Sequence, residues 1–392
     1  LVYQDTHNVT FRNFILSPHP GSSYIMNALV TINDPASPAM TRNWVKFYDC
    51  VFTEAFATGE PMVTDKASAL ANKDALPGAR STRMSSTAGK CILKGATNNG
   101  LQSVRLDNCV FYGPPQIGFE LNVRTGDEIQ VHDTLVVLCG FSAFRCLGNA
   151  VAHHSFTGTD VGAGPTQCTA IINSPSTTAT TDDNGKALRL ASSAAATTTI
   201  SNVLISNSFL AGNAFIGGIN INGNQGNVSI EDVIIDTYGT AILVQPANTC
   251  TVSNATLHTS GAGGAGIAFT AAAAGSLTVA DTIFSGAGTK IVGDLPTGGL
   301  SVNYSAFVEN GSDAITARDA GQSITYGANI ITADPQYVSK DATSANAFDV
   351  RGLTYKGAGS AGSNLAGGAD FILPPDTPTH STSVDPSWEL YD

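Results

Sequence analysis

One pattern constrains this chain more than any other feature. It is a seven-residue unit with apolar residues at positions one, three and usually seven, and Asn or Asp at position five. It reads Val9-x-Phe11-x-Asn13-x-Ile15, Val45-x-Phe47-x-Asp49-x-Val51, Val104-x-Leu106-x-Asn108-x-Val110 and Ile129-x-Val131-x-Asp133-x-Leu135. It continues as Val203-x-Ile205-x-Asn207-x-Phe209, Val228-x-Ile230-x-Asp232-x-Ile234, Cys250-x-Val252-x-Asn254-x-Thr256 and Leu277-x-Val279-x-Asp281-x-Ile283. Weaker copies begin at Val151, Leu300 and Ile324, and from Val203 onward the starts are 25, 22, 27, 23 and 24 residues apart. Alternation with period two marks a strand with one buried face. A second short strand signal follows in most copies, as in Gly118-Phe-Glu-Leu121, Ala143-Phe-Arg-Cys146 and Ala241-Ile-Leu-Val244. Gly, Asn, Ser and Thr fill the segments between, as turns require. A coil of this size cannot bury its apolar face alone. Coils therefore stack, with each strand pairing in parallel with its counterpart in the next.

Composition agrees with this reading and removes the alternatives. Charged residues are 13% of the 392, about half the ~25% of an ordinary domain, so the surfaces of a helix bundle cannot be built. With 19 basic against 31 acidic side chains the net charge is −12, which excludes a nucleic-acid binder. No apolar run reaches the ~20 residues that span a bilayer. The seven cysteines form no C-x-x-C pair and read as small buried hydrophobes, an odd number leaving one thiol free within a single chain. Leu1 opens directly in strand-like sequence, as expected of a mature or trimmed piece of a longer chain.

Over residues 1–340 this spacing resembles the right-handed parallel β-helix of the pectate-lyase-like superfamily. The resemblance implies an all-β fold: a single right-handed solenoid of about eleven coils. The Asn and Asp column resembles that fold's asparagine ladder, in which side chains at an inward bend bond to neighbouring coils and so satisfy backbone groups that a tight bend leaves unpaired. On that reading Asn13, Asp49, Asn108, Asp133, Asn207, Asp232, Asn254 and Asp281 are structural. Calcium is a common companion of the superfamily's lyases, although no acidic cluster in the sequence calls for it and no other cofactor is evident. The superfamily's pectate-lyase and polygalacturonase motifs, such as paired Asp residues followed by Gly-His-Gly, do not occur here.

Two interruptions break the repeat. Residues 54–100 form an excursion carrying Asp65, Lys66, Lys73, Asp74, Arg80 and Arg83, and residues 158–185 are rich in Thr, Ser and Asp. Long loops in compact repeats are often functional. Residues 341–392 lose the repeat and read as an irregular C-terminal cap or tail, with Phe371, Ile372, Leu373 and Trp388 as candidates to cover the open sheet edge of the last coil.

In stacked coils, equivalent positions form columns about 4.8 Å apart. The outward positions of the repeat read Thr10, Lys46, Arg105, Gln130, Ala152, Leu204, Ser229, Thr251 and Thr278 in one column. In the other they read Arg12, Tyr48, Asp107, His132, His154, Ser206, Glu231, Ser253 and Ala280. Lys46, Tyr48, Arg105, Asp107, His132 and His154 thus gather on one face of the N-terminal half, and Glu120 and Arg145 fall on a neighbouring face. The expected chemistry is recognition of a polysaccharide. Lys46, Arg105, Glu120 and Arg145 would bind it, with Lys46 and Arg105 neutralising a uronate carboxylate. His132, His154 or Tyr48 would remove the α-proton in a β-elimination, with His132 and His154 stacked and depressing each other's pKa. Hydrolysis needs two carboxylates, and only Asp107 with Asp127 or Glu128 offers them. The alternative is a non-catalytic solenoid such as an adhesin, surface-layer or virion-fibre component. Either fits a location outside the cell, on its surface or on a virion, and is compatible with a homotrimer or with attachment to further domains.

Overall fold

The computed structural model describes residues 2–3, 8–18, 28–32, 43–53, 63–74, 90–94, 102–113, 117–122, 126–147, 152–174, 185–191, 196–207, 216–269, 275–293, 297–308, 315–317, 324–326, 330–341, 344, 347–365, 368–370 and 372. The architecture is all-β, and its strand ladders are parallel throughout, an arrangement consistent with a β-solenoid. Each complete turn contributes three strands, here termed columns A, B and C. In one turn these are Gln102–Asp107, Val110–Tyr112 and Ile117–Asn122, and the chain then returns to column A at Asp127–His132. Column A runs in register from Val9 through Val45, Val104, Ile129, His154, Thr198, Val228, Cys250, Leu277 and Leu300 to Ile324. Among the described residues the one α-helix is Lys66–Ala71, so none is long or apolar enough to cross a membrane.

The interior is a continuous apolar stack. In the first turns it is built of phenylalanine, Phe11 on Phe47 at 5.1 Å and Phe52 on Phe111 at 4.7 Å, with Phe144 edge-on to Phe111 and Phe156. In column A the later turns carry β-branched side chains such as Ile200, Ile230 and Val252 in their place, while Phe284 stacks on Phe307 at 5.0 Å in column B. All seven cysteines are buried free thiols, as the composition suggested.

Between columns A and B the chain turns through one residue in the left-handed region. Asn13, Asp49, Asn108, Asp133, Asn202, Asp232, Asn254 and Asp281 have φ between 44° and 56°. Asn and Asp tolerate this conformation better than other side chains that carry a Cβ, which explains the composition of the column. Two expectations are corrected here. The ladder side chains point outward rather than inward: Asn13, Asp49 and Asn108 are exposed. They still bond along the stack, Asn108 Nδ2 donating to Asp49 Oδ1 at 2.7 Å and Asn254 Nδ2 to Asp232 Oδ1. The ladder residue preceding Asp232 is Asn202, not Asn207. Asn207 lies fully buried at the bend after column B, where its Oδ1 accepts from the Ser174 amide at 2.8 Å. The residue after each bend faces inward and often carries a short donor. Cys109, Thr134, Thr282 and Ser305 each bond the carbonyl two residues back, at 3.4, 3.0, 2.8 and 2.8 Å.

The outer surface of column B is apolar, and the irregular segments cover it. Val51, Val110, Tyr112, Leu135, Val137, Leu204 and Ile234 are all buried there. The part of the 54–100 excursion that is described does two jobs. Lys90–Lys94 is a column C strand, and residues 63–74 carry the short helix against Val110 and Leu135, tied down by Tyr112 Oη donating to Asn72 O at 3.1 Å. Arg80 and Arg83 lie outside the described residues. Val161 and Cys168, from the second irregular stretch, join the same cluster, while Asp182 and Asp183 lie outside the described residues.

The described part of the expected C-terminal cap lies along the side of the stack as a strap. After Ile331 pairs with Ala306, the described residues among 333–372 run back along the flank. Tyr337 Oη meets Ser285 Oγ at 3.1 Å, and the Ser360 amide and hydroxyl donate to Asp281 Oδ1 and Oδ2 at 2.7 Å each. The Gly368 amide then donates to Asn254 Oδ1 at 3.1 Å. At Gly368 φ is +83° and a Cβ would come within 2.6 Å of Val233 O, so the strap's closest approach admits only glycine. Phe348 and Tyr355 bury its own core. The physical reason is the apolar flank, which needs covering along its length. Ile372 donates its amide to Val350 O at 2.9 Å, whereas Phe371, Leu373 and Trp388 lie outside the described residues.

Candidate functional site

The outer face of column A in its first four rungs holds most of the residues that the sequence brought together. Register places Arg12 beside Tyr48, Tyr48 beside Asp107, Asp107 beside His132, Lys46 beside Arg105, and Arg105 beside Gln130. Strand alternation turns these side chains out because Val45, Phe47, Val104, Leu106, Ile129 and Val131 fill the interior between them.

The polar groups on this face are largely engaged with one another. The Tyr48 ring lies between two guanidinium groups, Arg12 at 4.3 Å and Arg105 at 5.6 Å from its centroid. Arg105 Nη2 also holds Asp107 Oδ2 at 2.7 Å. Lys46 Nζ stands 5.8 Å from the Trp44 ring. His132 uses both ring nitrogens, Nδ1 at 3.1 Å from Thr157 Oγ1 and Nε2 at 3.2 Å from Asp133 Oδ2. Trp44, Arg12 and Asp133 therefore belong to the site although sequence reasoning did not select them. Arg12 stood in the same column as Tyr48, and Asp133 was absorbed by the ladder.

His154 does not join them. It occupies an inward position in register with Ile129 and Thr198, is 2% exposed, and shares Nδ1 with Thr198 Oγ1 at 3.4 Å. Burial, with His153 adding to it, lowers its pKa to about 4, so it is a neutral core residue at ordinary pH. The expected stacking of His132 on His154 is thereby overturned: the neighbour of His132 is Thr157. The weak copy at Val151 starts three residues too early, and an odd offset exchanges inward for outward positions. The copy at Val203 is misplaced by five residues for the same reason. The outward residues there are Thr199 and Ser201, and Leu204 lies buried in column B.

Glu120 and Arg145 sit on column C, a different face. Glu120 Oε1 is 3.1 Å from Lys90 Nζ and its Oε2 3.5 Å from Arg145 Nη1, so the carboxylate is shared between two cations. Asp127 is likewise removed from the list of carboxylates that could assist hydrolysis: it is fully buried and pairs with Lys94 Nζ at 3.0 Å. Glu128 remains on the outer face, 3.4 Å from Gln130 Nε2.

Beside the face, where the ladder meets the short helix, Asp49, Asn108, Thr64, Lys66, Ala67 and Thr166 are among the residues lining a concavity of about 400 Å³. Lys66 Nζ donates to Thr166 O at 2.9 Å, and burial lowers its pKa against the opposing pull of Asp133 and Asp107. No cluster of three or more His, Cys, Asp or Glu side chains suited to a metal occurs among the described residues.

From the fifth rung on, the same outer columns change character. Gln130 is followed by Ser155, Thr199, Ser229, Thr251, Thr278 and Ser301, and His132 by Thr157, Ser201, Glu231, Ser253 and Ala280. Chemically, the first rungs offer cationic donors and aromatic edges on an open surface, and the later rungs offer short hydroxyls. Comparison of this chain with protein-family models, with curated proteins and with solved structures finds no match.

Proposed function

We propose that this chain is a right-handed parallel β-helix of about eleven coils, of the pectate-lyase-like kind, acting outside the cell, on its surface or on a virion. Its role is to bind a polysaccharide along the outer face of the first four column A rungs. The observation that carries this reading is the concentration of Arg12, Lys46, Tyr48, Arg105 and His132 on one open face of a chain with only 19 basic residues. Guanidinium and ammonium groups suit the carboxylates and hydroxyls of an acidic sugar chain, and the rung spacing lets successive rings meet successive donors.

Binding without turnover is the favoured form. His132 lies 3.1 Å from Thr157 Oγ1 and 3.2 Å from Asp133 Oδ2, and Asp107 is held by Arg105, so these groups are engaged with neighbours within the face. If the face does catalyse a reaction, β-elimination with His132 or Tyr48 as base suits it better than hydrolysis. Hydrolysis lacks a partner for Asp107: Asp127 is buried in its pair with Lys94, and Glu128 stands four residues along the strand from the position beside Asp107, roughly 13 Å away against the ~9.5 Å limit of a carboxylate pair. A structural solenoid without a ligand is the second reading, favoured by the hydroxyl-lined outer columns from Ser155 onward.

The test is retention of the protein on immobilised uronate-containing and neutral polysaccharides, run alongside absorbance of unsaturated products. Binding to the acidic panel with no product is expected. Loss of retention in Lys46→Ala/Arg105→Ala supports the assignment to this face. A chain retained by no polysaccharide supports the structural reading, and a product that disappears in His132→Ala establishes a lyase.

A further inference from the structure

The inward position after the bend holds a hydroxyl or a thiol in several turns, and its recurrent bond runs to the carbonyl two residues back. Thr134, Thr282 and Ser305 make that bond at 3.0, 2.8 and 2.8 Å, so a hydroxyl is sufficient for it. Cys50 and Cys109 make the same bond to Tyr48 O at 3.3 Å and to Asp107 O at 3.4 Å. They occupy neighbouring rungs. Tyr48 pairs with Asp107 and Val51 with Val110, the Asp49 amide donates to Asp107 O, and the Val110 amide donates to Cys50 O. Cys50 therefore lies directly opposite Cys109.

Parallel rungs stand about 4.7–4.9 Å apart, inside the ~4.4–6.8 Å range of Cα separations that a disulfide bridges. The two side chains leave equivalent bends in the same inward direction. Cys109 Sγ also reaches back to Phe47 O at 3.5 Å, on the rung that carries Cys50. From this juxtaposition we propose that Cys50 and Cys109 are a cross-rung redox pair that closes into a disulfide, stapling the rung of Lys46 and Tyr48 to that of Arg105 and Asp107.

Reactivity is unevenly distributed in a way that suits such a pair. A hydrogen bond from Cys109 lowers the Cys50 pKa to about 7, while burial raises that of Cys109 and pushes Cys168 and Cys250 up to about 12. Cys50 is then the attacking thiolate and Cys109 the resolving thiol. With glutathione disulfide as oxidant, Cys50 displaces one glutathione and forms a mixed disulfide. Cys109 displaces the second, so two protein thiols lose two electrons and two protons, and two molecules of reduced glutathione leave. Both cysteines are fully buried in the folded chain, so exchange takes place as the second rung docks during folding.

The experiment refolds the full chain in a glutathione redox buffer, then denatures it without reductant, alkylates it and digests it for mass spectrometry. The expected result is a peptide pair joined through Cys50 and Cys109, five alkylated cysteines, and seven after reduction. Seven alkylated cysteines without reduction, or a bridge that uses another residue, overturns the proposal. Thermal melting provides the second readout. The oxidised chain is expected to melt about 3–5 °C above the reduced one, since the bridge closes a long loop. That difference should vanish in Cys50→Ser and in Cys109→Thr, both of which keep the bond to the carbonyl. A difference that persists in either variant overturns the assignment.

Discussion

Two flanks of this molecule are built on the same alternating pattern and end in opposite states. Column A turns Lys46, Tyr48, Arg105 and His132 outward and leaves them half-exposed. Column B turns Val51, Val110, Leu135 and Leu204 outward and hides them beneath a helix, a loop and the strap. The difference shows where the irregular sequence goes. Every described interruption of the repeat contributes to covering column B, and none of the contacts described places one over the polar rungs of column A. Apolar outward residues call for a cover, whereas a row of polar side chains is stable facing water.

The largest way to break this contrast is to remove the strap's anchor. Phe348 is fully buried, packs on Tyr337 at 5.1 Å and on His258 at 5.7 Å, and its replacement by Ala should cost about 3–5 kcal/mol. Urea unfolding measures this. A loss below about 1 kcal/mol would mean that the strap is not an integral part of the fold.

Acid should act on the interior and on the covered flank before it acts on the open face. His154 in the core and His258 beneath the strap are both lowered to about 4, each chiefly by burial, with Lys340 and Lys290 adding to the effect on His258. Their unfolded value is 6.5, so between 6.5 and 4 the unfolded chain binds more protons than the native one. Their contribution is fully present above pH 6.5 and is lost as the pH falls toward 4, by about 3 kcal/mol for the fully buried His154. Urea midpoints from pH 7 to pH 4.5 should therefore fall, and His154→Gln should flatten the profile. An unchanged slope in that variant would contradict the assignment.

A smaller effect is expected at the seam between ladder and strap. Asp281 holds φ at 48° and accepts two hydrogen bonds from Ser360, so Asp281→Ala should destabilise by about 1–2 kcal/mol. Asp281→Gly should recover the part due to backbone conformation. If the two variants are equally stable, the bend imposes no strain on alanine. The smallest effect on stability belongs to the open face. Lys46→Ala should change unfolding free energy by less than about 0.5 kcal/mol, because its only described partner is the Trp44 ring at 5.8 Å.

How much of this was legible in sequence depended on how strictly a segment obeyed period two. Column A was readable wherever both inward positions were apolar, as at Val45 and Phe47 or Val104 and Leu106. It was misread where His154 and Thr198 fill the first inward position and bond to each other instead of packing. Reading Phe156 or Ile200 as the second inward residue, with Gly158 or Asn202 two further on, would have set the register correctly. The cation-rich face survived the error because its residues lie in the four rungs that were read correctly. Column B strands are two to five residues long and gave almost no periodic signal of their own. The strap was illegible for a different reason: its role follows from long-range contacts such as Ser360 to Asp281 and Gly368 to Asn254, which leave no local pattern. Asp133 was set aside because one residue type serves both ladder and site. Only geometry shows that it holds the bend and His132 together.

The proposed binding of a polysaccharide places it on the open face of column A and not elsewhere on the molecule. The most direct measurement is the affinity of the full chain for an acidic polysaccharide, compared between Lys46→Ala/Arg105→Ala and the column C variant Arg145→Ala. At least a tenfold loss is expected for the first, with unfolding stability retained, and little change for the second. Equal affinity in all three proteins, or a loss confined to Arg145→Ala, would contradict it.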